Sequence, residues 1–203
     1  MVQFLFDMDG TVTARETLPM IAAHYGLLDE VEELTRKAVS GEVPFDECFV
    51  HRVEKLGHLP VDEVRWLVEG TPLHTRVADF IAHHKGQCAI VTSNLDCWCG
   101  GLLEHLGCRA HCSTARVRDN YVAGVEDVLR KATVVGSYKA SGHRVVYIGD
   151  GYNDLEAMRC ADVAIAVGFL PGTPAAGLAA VTDHVFDDEL ALCHCLEGLV
   201  ETC

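Results

Sequence analysis

Five short aliphatic runs limit what this chain can become. They are Val2 to Phe6, Cys88 to Thr92, Arg144 to Ile148, Val163 to Val167 and, more weakly, His184 to Phe186. Each is continuous rather than alternating between apolar and polar residues, so a strand built from it has no face suited to water. Continuous strands separated by helical stretches predict a parallel sheet covered by helices on both faces, an α/β layered fold. At 203 residues the chain is long enough to bury a real core in one compact domain with a small appendage.

The pattern is interrupted once. From about residue 14 to residue 73 the spacing of apolar residues is helical throughout, which predicts a helical cap inserted after the first strand. The expected division is a core of residues 1–13 and 74–203 and a cap of residues 14–73. Within the cap, Asp29 opens a helix closed by Gly41, Pro44 opens one closed by Gly57, and Val61 to Glu69 ends at Gly70. In the second of these, Phe45, Cys48, Phe49, Val53 and Leu56 form an apolar stripe, and Arg52 lies on it. Two readings of Arg52 stand side by side: a side chain snorkelling at the edge of the stripe, and a cation aimed into a pocket between cap and core.

Sixteen Lys and Arg against thirty Asp and Glu leave a net charge of −14, which repels phosphate backbones and anionic lipid surfaces. Nucleic acid and membrane are therefore excluded as expected partners, while a small anion remains admissible where local cations or a metal reverse the field. The start, Met-Val-Gln-Phe-Leu-Phe-Asp, lacks the basic and long apolar regions of a signal peptide. The longest apolar run, Val163 to Leu170, is far short of the roughly eighteen residues of a membrane span. A cytoplasmic location is the expectation. Ten cysteines, among them Cys97 and Cys99, then read chiefly as small apolar free thiols, with metal or redox duty as the alternative.

The chemistry gathers at strand ends. Asp7-Met8-Asp9-Gly10-Thr11 follows the first strand, where open α/β sheets bind ligands. A D-x-D-G segment alone also fits an acidic turn or a calcium loop, but an EF-hand needs a Glu at loop position twelve, and counted from Asp7 that position is Leu18. Thr92-Ser93-Asn94 follows the second run, Gly149-Asp150-Gly151-Tyr152-Asn153-Asp154 follows the third, and Lys131 lies in a helical stretch before it. Four carboxylates, a hydroxyl and a lysine converging on one sheet edge suit metal-assisted phosphoryl transfer. Taken singly, Asp150 and Asp154 read as loop and cap carboxylates, Lys131 as a solvated helix residue, and Glu16 as a favourable charge near a helix start.

In order and placement these four motifs resemble those of the haloacid dehalogenase superfamily of aspartate-nucleophile phosphohydrolases. The likeness is closer to the phosphoserine phosphatases and the phosphoserine/homoserine phosphotransferases, and it extends into the cap through Glu16-Thr17, Val39-Ser40-Gly41-Glu42, Phe45 and Arg52-Val53. The resemblance implies a three-layer, Rossmann-like core and a cytoplasmic enzyme acting on a small phosphorylated metabolite. It implies Asp7 as nucleophile, Asp9 as general acid and then base, and Mg²⁺ held by Asp7, the Asp9 backbone carbonyl, Asp150 and Asp154. Ser93 and Lys131 would neutralise the phosphoryl oxygens, with Thr11, Asn94 and Asn153 placing them. Glu16 would meet a substrate ammonium and Arg52 its carboxylate, with Phe45 closing over both.

Two departures stand out. Asn94 and Leu95 occupy positions where those phosphatases usually carry two glycines, and the segment between Lys131 and Asp150 is short, as in the phosphotransferases. Transfer to an alcohol such as homoserine, hydrolysis of another small phosphate ester, and a non-catalytic binding protein on the same fold are the alternatives. A receiver domain would lack the helical insertion and place its phosphorylated Asp after the third strand.

Overall fold

The computed structural model describes residues 1–39, 44–174 and 177–201, with side chains described at all of these except 36–39, 45 and 201. Seven strands form one sheet: β1 (Val2–Phe6), β2 (Cys88–Leu95), β3 (Arg109–Arg118), β4 (Tyr121–Asp127), β5 (Arg144–Gly149), β6 (Val163–Val167) and β7 (His184–Phe186). Their order across the sheet is β4-β3-β2-β1-β5-β6-β7. The five strands read from the aliphatic runs are all present, and β1 sits at the centre, paired in parallel with β2 on one side and β5 on the other.

Between β1 and the rest of the sheet lie four helices, α1 (Thr17–His24), α2 (Leu28–Val39), α3 (Phe45–Leu56) and α4 (Val61–Glu69), with no strand among the described residues of that stretch. Pro44 and Gly57 flank α3 and Gly70 follows α4, as the punctuation predicts. Gly41, with Ser40 and Glu42 of the cap motif, lies outside the described residues. The chain leaves and re-enters the core through adjacent segments: the Ala14 N–H donates to the Pro72 carbonyl at 2.8 Å and the His74 N–H to the Val12 carbonyl at 2.9 Å.

Five further helices sandwich the sheet. Phe4 and Phe6 point to the face covered by α5 (Thr75–His83), α6 (Asp96–Leu106) and α9 (Glu189–Glu201), where both rings meet Phe80. Leu5 and Tyr147 point the opposite way, among Val134, Val135 and Tyr138 of α7 (Lys131–Ala140) and Met158 of α8 (Leu155–Cys160). Strict alternation of buried side chains to two cores is why the strands read as unbroken apolar runs, and each large side chain so buried contributes about 1.5–3 kcal/mol. Among the described residues no helix is long and apolar enough to cross a membrane.

The sheet departs from the all-parallel expectation at one edge. β3 and β4 form an antiparallel hairpin turning at Asp119-Asn120, both at positive φ (50° and 69°), the conformation a tight two-residue hairpin requires. Most of this hairpin is solvated, so its residues carry no continuous apolar run to betray it. Its tip touches the inserted helices: the Val61 N–H donates to the Asn120 carbonyl at 2.7 Å, and the Val122 N–H to the Gly57 carbonyl at 3.2 Å. Next to it α4 lies close on α6 at Gly100-Gly101, where a Cβ on Gly101 would come within 2.6 Å of Glu69 Oε2, and Arg65 Nη2 reaches Glu104 Oε1 at 2.9 Å.

Candidate active site

The carboxyl ends of β1, β2 and β5 border a cavity of about 650 Å³ whose opposite wall comes from α1 and α3. Asp7, Asp9, Ser93 and Asp150 line it from the sheet, and Glu16 and Arg52 from the helices. Asn94 and Asn153 also reach its wall. The Thr92-Ser93-Asn94 segment belongs to β2 itself, at an irregularity in its pairing with β3 between Val91 and Leu95. Such a bulge turns successive side chains off the regular pleat.

Beneath the wall lies a charged cluster with almost no exposure. Asp7 follows β1 directly and is tied to β5 by its N–H, which donates to the Ile148 carbonyl at 2.8 Å. Lys131, the first residue of α7, places Nζ 2.6 Å from Asp7 Oδ1 and 2.7 Å from Asp154 Oδ1. The Tyr147 hydroxyl donates to the same Asp154 oxygen at 2.6 Å. Asp154 Oδ2 accepts the Asp150 and Gly151 N–H groups at 3.1 and 3.0 Å. Asp154 is thus a brace between α7, β5 and the loop carrying Asp150. The brace needs a bare backbone beside it: a Cβ on Gly149 would lie 2.5 Å from the Asp154 carboxylate, and one on Gly10 would run into Asp150 Oδ2.

Asp7, Asp150 and Asp154 each offer an oxygen within 4.8 Å of the others, the one such group among the described residues. Burial, and then the Asp154 charge, push the Asp7 carboxyl well up despite Lys131. Burial followed by Asp7 and Asp154 pushes Asp150 up to about 9. Burial alone would lower the Lys131 pKa, but Asp154 and Asp7 outweigh it and raise it. Three buried carboxylates facing one ammonium are under-neutralised, and an all-oxygen donor set of this kind fits a small hard cation.

Asp9 stands apart from that cluster. Its Oδ1 accepts both the Thr17 N–H at 2.7 Å and the Thr17 hydroxyl at 2.5 Å. Burial raises its pKa, and the two Thr17 bonds work the other way. Asn94 donates from Nδ2 to Thr17 Oγ1 at 2.6 Å and accepts the Leu95 N–H on Oδ1 at 2.8 Å. Across the cavity, burial of the carboxyl and then the Asp9 charge raise Glu16 to about 7, with Arg52 opposing, although the residue as a whole still reaches solvent.

The structure therefore brings Asp7, Asp9, Glu16, Arg52, Ser93, Asn94, Asp150 and Asn153 to one cavity, with Lys131 and Asp154 just behind it. Thr11 is not brought there: it is fully buried, away from the cavity wall, and its hydroxyl has no hydrogen-bond partner. The Phe45 side chain lies outside the described residues, and the ring on the cavity wall is Phe49, one turn along α3. Sequence reasoning also missed Tyr147 and the link through Thr17. A lone hydroxyl inside a buried aliphatic strand is the signal for Tyr147, since a buried tyrosine seeks a partner for its O–H. Cys99 donates from Sγ to the Leu95 carbonyl at 3.0 Å, and all described cysteines are free thiols.

Comparison with known proteins places this geometry. The chain is 29% identical over 201 residues to a phosphoserine phosphatase of Streptomyces coelicolor, covering 93% of this chain and 49% of that protein. It is 29% identical over 181 residues to a phosphoserine phosphatase of Saccharomyces cerevisiae, covering 80% of this chain and 58% of the yeast protein. The chain thus spans only about half to three-fifths of the length of these relatives. A solved structure described as a phospho-aspartyl intermediate analogue of phosphoserine phosphatase superposes with a TM-score of 0.77 at 25% identity, covering 93% of this chain and 95% of that one. The sequence model of the haloacid dehalogenase-like hydrolases matches residues 3–162, from β1 through the Asp150 loop and α8, and the chain belongs to that family.

Proposed function

We propose that the chain is a Mg²⁺-dependent phosphomonoester hydrolase of the cytoplasm, with phosphoserine as its preferred substrate. The observation that carries this reading is the buried cluster of Asp7, Asp150 and Asp154, in which Lys131 bridges Asp7 and Asp154. The reading takes the chain as two structural units, a core of residues 1–13 and 74–203 and a cap of residues 14–73. The likeness to phosphoserine phosphatases supports the choice of substrate.

Asp7 Oδ1 is held by Lys131 Nζ and by the Met8 N–H at 2.7 Å, which leaves the other oxygen to attack phosphorus. As that bond forms, the bond from phosphorus to the seryl oxygen breaks, and Asp9 delivers a proton to the departing alkoxide. Asp9 then takes a proton from water, the water oxygen attacks phosphorus, and the bond to Asp7 breaks to release phosphate. Lys131, Ser93 and Asn153 offset charge on the phosphoryl oxygens. Mg²⁺, held by Asp7, the Asp9 carbonyl and Asp150 with Asp154 bracing the loop, would neutralise the carboxylates and the phosphoryl charge together.

Glu16 and Arg52 suit a zwitterion, because an ammonium or a carboxylate entering a partly dry cavity unpaired is costly. The guanidinium fork matches two carboxylate oxygens in a way an ammonium does not. Phosphate release from phosphoserine, phosphothreonine, sugar phosphates and nucleotides, with Mg²⁺ and with chelator, tests the reading, and added homoserine detects transfer instead of hydrolysis. Phosphoserine should be turned over best, only with Mg²⁺, and Arg52→Lys should raise its KM about tenfold or more while p-nitrophenyl phosphate is little affected. Undiminished turnover in excess chelator, or equal losses on both substrates, would overturn the assignment.

A further inference from the structure

Resting on that reading, we propose that Thr17, itself oriented by Asn94, is a positioning residue that aims the Asp9 carboxyl at the leaving group. The chain of contacts spans two parts of the fold: Asn94 is the last residue but one of β2, Thr17 opens α1, and Asp9 lies just beyond β1. The donor and acceptor roles along it are fixed. Asn94 Oδ1 accepts the Leu95 N–H, so the amide is turned with Nδ2 toward Thr17. An amide nitrogen only donates, so the single Thr17 hydroxyl hydrogen is left for Asp9 Oδ1. With the Thr17 N–H on the same oxygen, Oδ1 is committed to two donors, and Oδ2 becomes the oxygen that exchanges a proton with the alkoxide.

The same contact serves the helix. The N-terminal N–H groups of a helix have no partner within it, and Glu16, flanking α1, makes no side-chain cap hydrogen bond. Asp9, eight residues upstream, accepts the first of these N–H groups instead. The carboxyl proposed to handle the proton is therefore the cap of the first inserted helix, and its orientation depends on where that helix stands. Asn94 is what ties the Thr17 hydroxyl to the sheet.

A leaving-group comparison separates positioning from simple structural support. A seryl alkoxide needs a proton as it departs, whereas p-nitrophenolate does not. With Mg²⁺ present, the first-turnover rate of Thr17→Val should fall about 10²-fold on phosphoserine and less than about threefold on p-nitrophenyl phosphate, with KM nearly unchanged for both. Thr17→Ser, which keeps the hydroxyl, should restore the phosphoserine rate to within about threefold of the parent protein. Asn94→Asp replaces the donor with an acceptor competing for the Thr17 hydrogen and also adds charge to the cavity wall, so it should slow both substrates, phosphoserine by about tenfold more, and that extra loss should vanish in the Thr17→Val background. For Thr17→Val, equal losses on both substrates or no loss on either would overturn the proposal, as would a phosphoserine-specific loss from Asn94→Asp that persists in the Thr17→Val background. Should Thr17→Val not fold, the selectivity of Asn94→Asp and the Thr17→Ser rates decide it. A parent protein inactive on every phosphomonoester would sink the functional reading instead, so the two failures are distinct.

Discussion

Asp7 and Asp9 are two residues apart, yet they belong to different mechanical neighbourhoods. Asp7 is locked into the sheet by Lys131, by backbone bonds to Met8 and Ile148, and through Lys131 to Asp154 and Tyr147, all buried. Asp9 is half-buried and answers to a helix of the insertion through Thr17. Under the proposed function, the difference would separate two demands of phosphoryl transfer: a nucleophile that must not move, and a proton donor whose aim is set together with the wall that faces the substrate.

The contrast breaks first at its firm side. Lys131→Met removes the cation that bridges Asp7 and Asp154, so stability should fall by about 3–5 kcal/mol in urea unfolding. Turnover should fall about 10²- to 10³-fold as well. A variant as stable as the parent would show that Asp7 is not held as described. Tyr147→Phe is the milder probe of the same side: one hydroxyl bond to a buried carboxylate is lost, and unfolding should register about 1.5–3 kcal/mol. If instead Thr17→Val destabilised the protein more than Tyr147→Phe, the assignment of firm and movable sides would be reversed.

The smallest effect, taken per pH unit, is in the metal-free protein. Asp150 holds its proton up to about pH 9, far above the ordinary value of 3.8, so between those limits the folded state binds a proton the unfolded chain has released. Stability should then decline as pH rises from 5 to 8, by at most about 1.4 kcal/mol per pH unit from this group. Asp7, also raised, acts in the same direction. Mg²⁺ in place of the proton should flatten the slope. A melting temperature of the chelated protein that climbs over this range would contradict the crowding of the three carboxylates.

What was legible in the sequence follows from how local each signal is. The buried parallel strands announce themselves because both faces exclude water, and α3 and α4 begin and end at Pro44, Gly57, Pro60 and Gly70 because caps are chemical choices made within one turn. The β3–β4 hairpin was missed because a solvated edge carries no apolar run, and its one local cue is the pair Asp119-Asn120. The motif carboxylates were found by their place at strand ends. Thr17 and Asn94 were not recognised as a pair, since the bond between them joins residues 77 positions apart and neither side chain is distinctive alone. Tyr147 was hidden inside the run Val145 to Ile148.

The inserted helices do not rest on the core evenly. At one end α4 is seated in the notch at Gly100-Gly101 and α3–α4 are pinned to the hairpin tip at Asn120 and Val122, while the strap of residues 12–14 and 72–74 fastens the base. Glu16 lies beside the strap, next to Thr17 and its bonds to the core, whereas Arg52, on α3, is carried over the cavity. Such a body would bend as a cantilever does, with its stiffness concentrated at these clamps and displacement growing along α3 toward Arg52. A substitution at Gly101, some way from the cavity, would then act as a loosened clamp, altering how the substrate-facing wall settles without touching any residue on it.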